Sequence, residues 1–337
     1  MSRIATLIAY NEFLTKRPYF YPMKACSFLP AATQMIYDMG LQHLLKGVTF
    51  ECSPQALAEK PKLVRCIMEG KQYSSAEIDT VFRTAKAQGK SLYYVEEELL
   101  QSIAPDIIFT QDTCEVCQID TKCTAAAVAK LERRPEIIPL TPASLQDVYA
   151  TAVTIAKALG HEDAAYTYLA GLQKRTDAIL DTLRQNRMPL KRVLLLEWID
   201  PMYNCGHWIP FQIALAGGID MMSNPGGDSI VIPWEKIRKY NPEVIIVAPC
   251  GFHIDRAKEE LHLLSRNEGW DEITAVQTNQ VHLCDFDLFT QPSPSTLVDG
   301  IELLAALFHP GLFTLSPALR EKTASYNSMS QLSIRLT

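Results

Sequence analysis

From residue 142 to residue 188 the chain carries no segment that reads as a strand, while short Val- and Ile-rich runs recur on both sides of that stretch. Thr141 is placed to cap a helix, and Pro142 suits the first helical position, where its missing N–H would have no partner anyway. Apolar residues then recur at Leu145, Val148, Ala152, Ile155 and Leu159, and in a second phase at Leu169, Leu172, Ile179 and Leu183. Such spacing lines one face of a helix. Gly160 and His161 mark a bend or short break between the two phases. A long helical connector over residues 142–187 therefore separates two regions that must each build a sheet of their own.

The flanking runs are KACSF (24–28), KGVTF (46–50), DIIFTQ (106–111) and EIIPL (136–140) on one side. RVLLLEW (192–198), EVIIVAP (243–249) and QVHLCDF (280–286) lie on the other. Continuous apolar runs of this length read as parallel strands buried on both faces, and helical patterns separate them. The expected fold class is α/β, with two Rossmann-like lobes of parallel sheet joined by a long helical connector. The expected divisions are an N-terminal extension (1–22), an N-terminal lobe (23–141), the connector (142–187), a C-terminal lobe (188–313) and a tail (314–337).

The two halves also resemble each other. LLQSIAPDIIFTQDTC (99–114) reads against KIRKYNPEVIIVAPCG (236–251), with Pro105 on Pro242 and Asp106 on Glu243. SFLPAATQMIYDMG (27–40) reads more loosely against CGHWIPFQIALAGG (205–218). Two matches in the same order favour two lobes of one architecture. Loops after the carboxyl ends of parallel strands make the binding site in such sheets. If the lobes face each other, those loops line a shared cleft.

The net charge of -6 includes no basic block able to neutralise a run of phosphates, so nucleic acid is not an expected partner. No apolar stretch is long enough to span a bilayer as a helix, so no membrane span is expected. Residues 1–22 make a poor secretory signal: the run IATLIAY is short, and Glu12, Lys16 and Arg17 follow at once. Nine cysteines cannot all pair internally. Together these features give reduced thiols and a cytoplasmic location as the expectation, with the periplasm as the alternative by family resemblance.

The order of segments resembles the class III periplasmic binding proteins, the iron-siderophore and cobalamin group of transporter receptors. The resemblance rests on SFLPAATQMIYDMGL, KGVTFECSP, LLQSIAPDIIFTQ, the mid-chain helix, and NPEVIIVAP with VDGIELLAALFHP, and it covers roughly residues 24–313. It looks closest to the branch labelled cobalamin-binding proteins, through Glu51-Cys52 and Cys114-Glu115-Val116-Cys117. The resemblance implies a cleft binder that works by limited closure, with cobalamin or a related corrinoid or siderophore-like compound as ligand. It also implies an ABC-transporter permease as partner.

Three sets of residues carry this expectation. Trp198, Tyr203, His207 and Trp208 surround the loop after the first strand of the C-terminal half, and Phe252, Phe286 and Phe289 lie at further strand ends. Flat apolar rings with a few polar groups suit a large planar ligand, and Glu51, Cys52, Arg65 and Asp112 supply polar groups from the first half. Cys114 and Cys117 have the two-residue spacing that lets two thiolates reach one metal, with Cys52 and Cys250 as further ligands. A cytoplasmic protein with cysteine-ligated zinc or an iron–sulfur cluster, with redox activity open to it, is the alternative reading. Glu98 and Glu235 stand seven residues before Pro105 and Pro242 respectively, and in exported relatives one acid on each lobe docks onto the permease. No nucleophile elbow, P-loop or dinucleotide loop is present, so no enzymatic activity is expected.

Overall fold

The computed structural model describes residues 23–111, 119 and 121–326. The first sheet takes β1 (Ala25–Ser27), β2 (Leu45–Thr49), β3 (Lys62–Cys66), β4 (Tyr93–Val95), β5 (Ile107–Thr110) and β6 (Glu136–Pro139). Its order is β4-β3-β2-β1-β5-β6, parallel throughout except for the β3–β4 pair. The second half contributes β7 (Lys191–Leu196), β8 (Gly206–His207), β9 (Gly218–Ile219), β10 (Asn224–Pro225), β11 (Val244–Val247), β12 (Val281–Cys284) and β13 (Thr323–Ser325). Five of these form a sheet of order β13-β12-β11-β7-β9, and β8 pairs with β10 alone. Residues 314–337, set apart as a tail, supply the helix Pro317–Glu321 and the strand β13, which pairs antiparallel with β12. KLVRC (62–66), whose two charged residues interrupt the apolar run, is the strand β3 that the expected set lacks.

The internal repeat is real at the level of single hydrogen bonds. The helix Glu97–Ile103 ends in Ala104 at φ 48 and ψ 66, and the helix Trp234–Tyr240 ends in Asn241 at φ 47 and ψ 69. In each case the left-handed residue turns the chain sharply and a proline then bars further helix. Asp106 donates its amide to the Lys24 carbonyl at 2.8 Å, and its carboxylate accepts the Lys24 amide at 2.9 Å. Glu243 does the same with Arg192, accepting its amide at 3.0 Å. The matched acids thus pin β5 to β1 and β11 to β7.

The connector is two helices, Leu145–Ala158 and Glu162–Gln185, with the break at Gly160 (φ 78) and His161. The second is the longer of the two. Its 24 residues run for about 36 Å at the usual helical rise. One apolar core is continuous through both lobes along these helices, from Leu29, Met35 and Ile36 through Val148, Ala152 and Ile155 to Ile213, Leu304 and Phe308. Polar bonds reinforce it. The Tyr168 hydroxyl donates to Asp38 at 2.9 Å and accepts the Ser295 amide at 2.9 Å, and Ser295 Oγ also donates to Asp38. Burial, reinforced by Asp38, pushes the Tyr168 phenol above its ordinary range, so it stays a donor. Arg175 pairs with Asp299 and Glu302 and ties the connector to the helix Pro294–Phe308.

Candidate functional site

The carboxyl ends of the two sheets meet. The loop after β3 carries Tyr73, whose carbonyl accepts Arg256 at 2.7 Å, and Arg256 lies beyond the end of β11. Ile78 of the helix Ser75–Ala87 packs against the core of the C-terminal lobe. Arg83 on the same helix comes within electrostatic reach of Tyr203. The loops that follow the strands of the two sheets therefore face each other and touch through these residues.

On the C-terminal wall, Trp198 is half-buried, and its ring lies 5.1 Å from that of Phe252. Phe252 itself is buried, with the Arg256 guanidinium 4.3 Å over its ring. Tyr203 bridges Trp198 and Val231 through its backbone, and Ile230 and Val231 are about half exposed at 54% and 50% beside it. Phe286 is half-buried and meets His253 edge-on at 5.1 Å. Trp208 and Phe289, expected among the ligand-facing rings, instead fill the lobe interior. Trp208 donates its Nε1 to the Phe289 carbonyl at 2.6 Å, and the Phe289 side chain is wholly buried.

His207 sits in the β8–β10 pair at φ 51, stacked on Trp208 at 5.4 Å and 3.8 Å from Asp228. Burial lowers its pKa, and Asp228 opposes that shift only in part. A histidine outside the expected set is better placed. His253 is exposed, and its Nδ1 lies 2.9 Å from both carboxylate oxygens of Asp285. That bond raises its pKa and leaves Nε2 directed away from Asp285. The clue was legible in principle: CGFH ends the loop after EVIIVAP, Asp285 follows VHLC, and β11 and β12 are neighbours in the sheet.

On the N-terminal wall, loss of solvent and the nearby Glu69 push the Glu51 carboxyl up to about 7. Arg65 is not its partner: Arg65 Nε donates to Glu69 at 2.8 Å, and its other edge stands 3.9 Å from Glu96. The Cys52 thiol is buried, bonded to Thr33 at 3.2 Å, and raised to about 11, so it is poorly disposed to ionise. Cys250 is half-buried. Among the described residues no group of three or more His, Cys, Asp or Glu side chains could hold a metal ion. Asp112, Cys114 and Cys117 lie outside the described residues. Glu98 and Glu235 are each the second residue of the matched helices, and both are exposed.

Two α/β lobes with apposed strand ends, fixed by a spanning helix and a shared core, define a cleft-type binding protein. The chain belongs to the periplasmic binding protein family, whose model matches residues 70–288. That family consists of substrate-binding proteins rather than enzymes. A curated relative, an uncharacterised ABC transporter substrate-binding lipoprotein of Bacillus subtilis, is 21% identical over 295 residues, covering 87% of this chain and 82% of its own. A periplasmic haem-binding protein from Pseudomonas aeruginosa superposes with a TM-score of 0.67 at 18% identity, covering 90% of this chain and 98% of its own. The periplasmic vitamin B12-binding protein of Vibrio cholerae gives 0.55 at 17% identity, covering 85% and 96%. At such identities these structures share the fold.

The expectation of a cytoplasmic protein does not stand. The matched family is periplasmic and the curated relative is a lipoprotein, both external to the cytoplasm. The cysteines do not mark a compartment, for a physical reason. Cys26, Cys205 and Cys284 are fully buried, and a buried thiol neither pairs nor oxidises readily in any compartment.

Proposed function

We propose that this protein is the ligand-capturing component of an ABC transporter for a flat metal–organic ligand of the cobalamin or haem class. The observation that carries the reading is the C-terminal wall, where Trp198 and Phe286 offer accessible ring surface beside a carboxylate-oriented imidazole, His253. Aromatic faces hold a planar macrocycle without demanding a fixed hydrogen-bond pattern. An imidazole held by a carboxylate through one nitrogen can present the other to a metal with an open position. Glu51, Arg65 and Glu69 supply a polar opposite wall for peripheral amide or carboxylate groups. Relatives named for haem and for vitamin B12 share the fold, which supports the class without choosing between its members.

Glu98 and Glu235 serve as the docking acids in this reading, one per lobe at matched and exposed positions. Their charges steer and orient the encounter with a basic permease surface more than they hold it.

The test is a titration of the purified protein with haemin, hydroxocobalamin and a ferric hydroxamate, read by visible spectrum and melting temperature. One of the two macrocycles should bind with a shifted spectrum and a raised melting temperature. His253→Ala should abolish the spectral shift while leaving some thermal stabilisation from the rings. Binding of the hydroxamate alone, or no response to any of the three, refutes the reading. Glu98→Lys with Glu235→Lys should leave ligand affinity intact and weaken stimulation of the transporter's ATPase.

A further inference from the structure

The helix Ser75–Ala87 belongs by chain order to the N-terminal lobe, lying between β3 and β4. Its residues Val81, Phe82 and Ala85 pack on that lobe's own core. Three residues before Val81, Ile78 packs instead on the core of the C-terminal lobe. One thirteen-residue helix is thus shared between two cores that otherwise belong to separate lobes.

Its first turn is fixed to the C-terminal lobe by a polar cluster. The Glu260 carboxylate accepts the Ser75 amide at 2.8 Å through Oε1 and the Ser75 hydroxyl through Oε2. Arg256 donates to the same carboxylate and, at 2.7 Å, to the Tyr73 carbonyl. Ser75 and Glu260 are buried at 1% and 7% exposure, so water does not compete for these bonds. The arrangement has a clear electrostatic logic. The first amides of a helix have no internal partner and carry partial positive charge, and here a carboxylate from the other lobe supplies the partner. Burial alone would raise the Glu260 pKa, but the bonds from Arg256 and Ser75 outweigh it and hold the carboxyl below its ordinary value.

The cluster is also continuous with the ligand wall. Arg256 stacks over Phe252, and Phe252 leans on Trp198. A shift of the Trp198 ring therefore reaches the cluster through two direct contacts.

We propose that Glu260, Arg256, Ser75 and Tyr73 form an interlobe latch that holds the cleft at a set width before any ligand arrives, with Phe252 coupling the latch to the wall on which a ligand would stack. Opening the lobes then requires the Glu260–Ser75 bonds to break and Ile78 to leave the C-terminal core.

The Ser75 amide reports the latch directly, because its hydrogen is the one that Glu260 holds. Amide hydrogen exchange resolved to single residues, on the ligand-free protein, is the test. Ser75 should be protected well beyond a solvent-exposed loop amide in the native chain. In Glu260→Gln its exchange should rise about tenfold to a hundredfold, the span expected when charge-assisted bonds are weakened, while the β11 amides stay unchanged. Ser75→Ala, which keeps the amide bond and removes only the hydroxyl, should give a smaller rise. Small-angle scattering should show a larger maximum dimension for Glu260→Gln. A Ser75 amide that exchanges like an open loop in the native protein overturns the proposal, as does unchanged exchange in a folded Glu260→Gln. If that variant does not fold, the native exchange and Ser75→Ala still decide. None of these measurements uses a ligand, so the outcome is independent of which compound the cleft binds.

Discussion

Replacing Tyr168 by Phe removes one oxygen atom at the point where the connector meets both lobes. The hydroxyl donates to Asp38, at the last turn of the helix Pro30–Asp38, and accepts the Ser295 amide in the first turn of the helix Pro294–Phe308. A hydrogen bond to a charged group contributes about 1.5–3 kcal/mol, and an amide left without a partner costs about 1–3 kcal/mol more when fully buried. Ser295 is only half-buried and its hydroxyl still reaches Asp38, so the second cost falls at the low end. The expected loss is about 2–3 kcal/mol. The distribution of tryptophan makes the assay informative: all four, Trp198, Trp208, Trp234 and Trp270, lie in the C-terminal lobe. Urea unfolding followed by tryptophan fluorescence reports that lobe, and far-ultraviolet dichroism reports both. In the native protein the shared core should make the two transitions coincide. In Tyr168→Phe the midpoints should fall, and the two probes should separate as the lobes uncouple. A loss below about 0.5 kcal/mol, with both probes still coincident, would show that the apolar core alone joins the lobes and that the Tyr168 cluster is incidental.

Trp208→Phe should lower stability by about 2–3 kcal/mol through lost packing and the lost bond to Phe289, with ligand affinity unchanged; reduced affinity in a fully folded variant would place the ring in the cleft after all. Glu51 holds its proton more tightly when folded, near pH 7 against an ordinary value of 4.5, so its contribution to stability declines as pH rises through that window and is flat above it. Some solvent reaches the side chain, making about 3 kcal/mol a ceiling. Glu51→Gln should flatten the difference between urea midpoints at about pH 5 and about pH 8, and an unchanged slope refutes the assignment. Ala104 occupies the left-handed region that Asn241 occupies in the other lobe, so Ala104→Asn should stabilise by about 0.5–1 kcal/mol in the same unfolding assay, and a loss would mean the turn is not strained.

The lobes and the connector were legible because they rest on period and composition. A buried strand such as VIIV at β11 reads the same in any protein, and the Pro105–Pro242 match exposed a helix–turn–strand unit that each lobe uses. The site was harder to read because it depends on which way a ring turns. Trp198 and Trp208 both lie within a dozen residues of the end of β7, yet one keeps part of its ring exposed and the other is buried. Sequence distance from a strand end gives the neighbourhood of a side chain, not the side of the lobe it packs on. The pairings made across long separations were illegible for the same reason. Nothing near Glu260 announces Ser75, 185 positions away, and the obvious local partner of Glu51, Arg65, is taken by Glu69.

The ties between the lobes constrain how such a cleft can work. The shared core and the Tyr168 cluster lie along the connector, and the Glu260 cluster lies at the facing strand ends, so the lobes are held from two sides. A wide opening would expose Ile78 and break buried bonds to a carboxylate, together several kcal/mol before any gain. Small openings are therefore favoured, and under the proposed latch the spacing of the lobes is largely set before a ligand arrives. Little of its binding energy then goes into closure, which favours tight capture. The same economy makes release difficult without outside help. Under the proposed function that help comes from a permease bound to Glu98 on one lobe and Glu235 on the other, since force applied at two matched points on separate lobes acts against the latch that spontaneous motion rarely breaks.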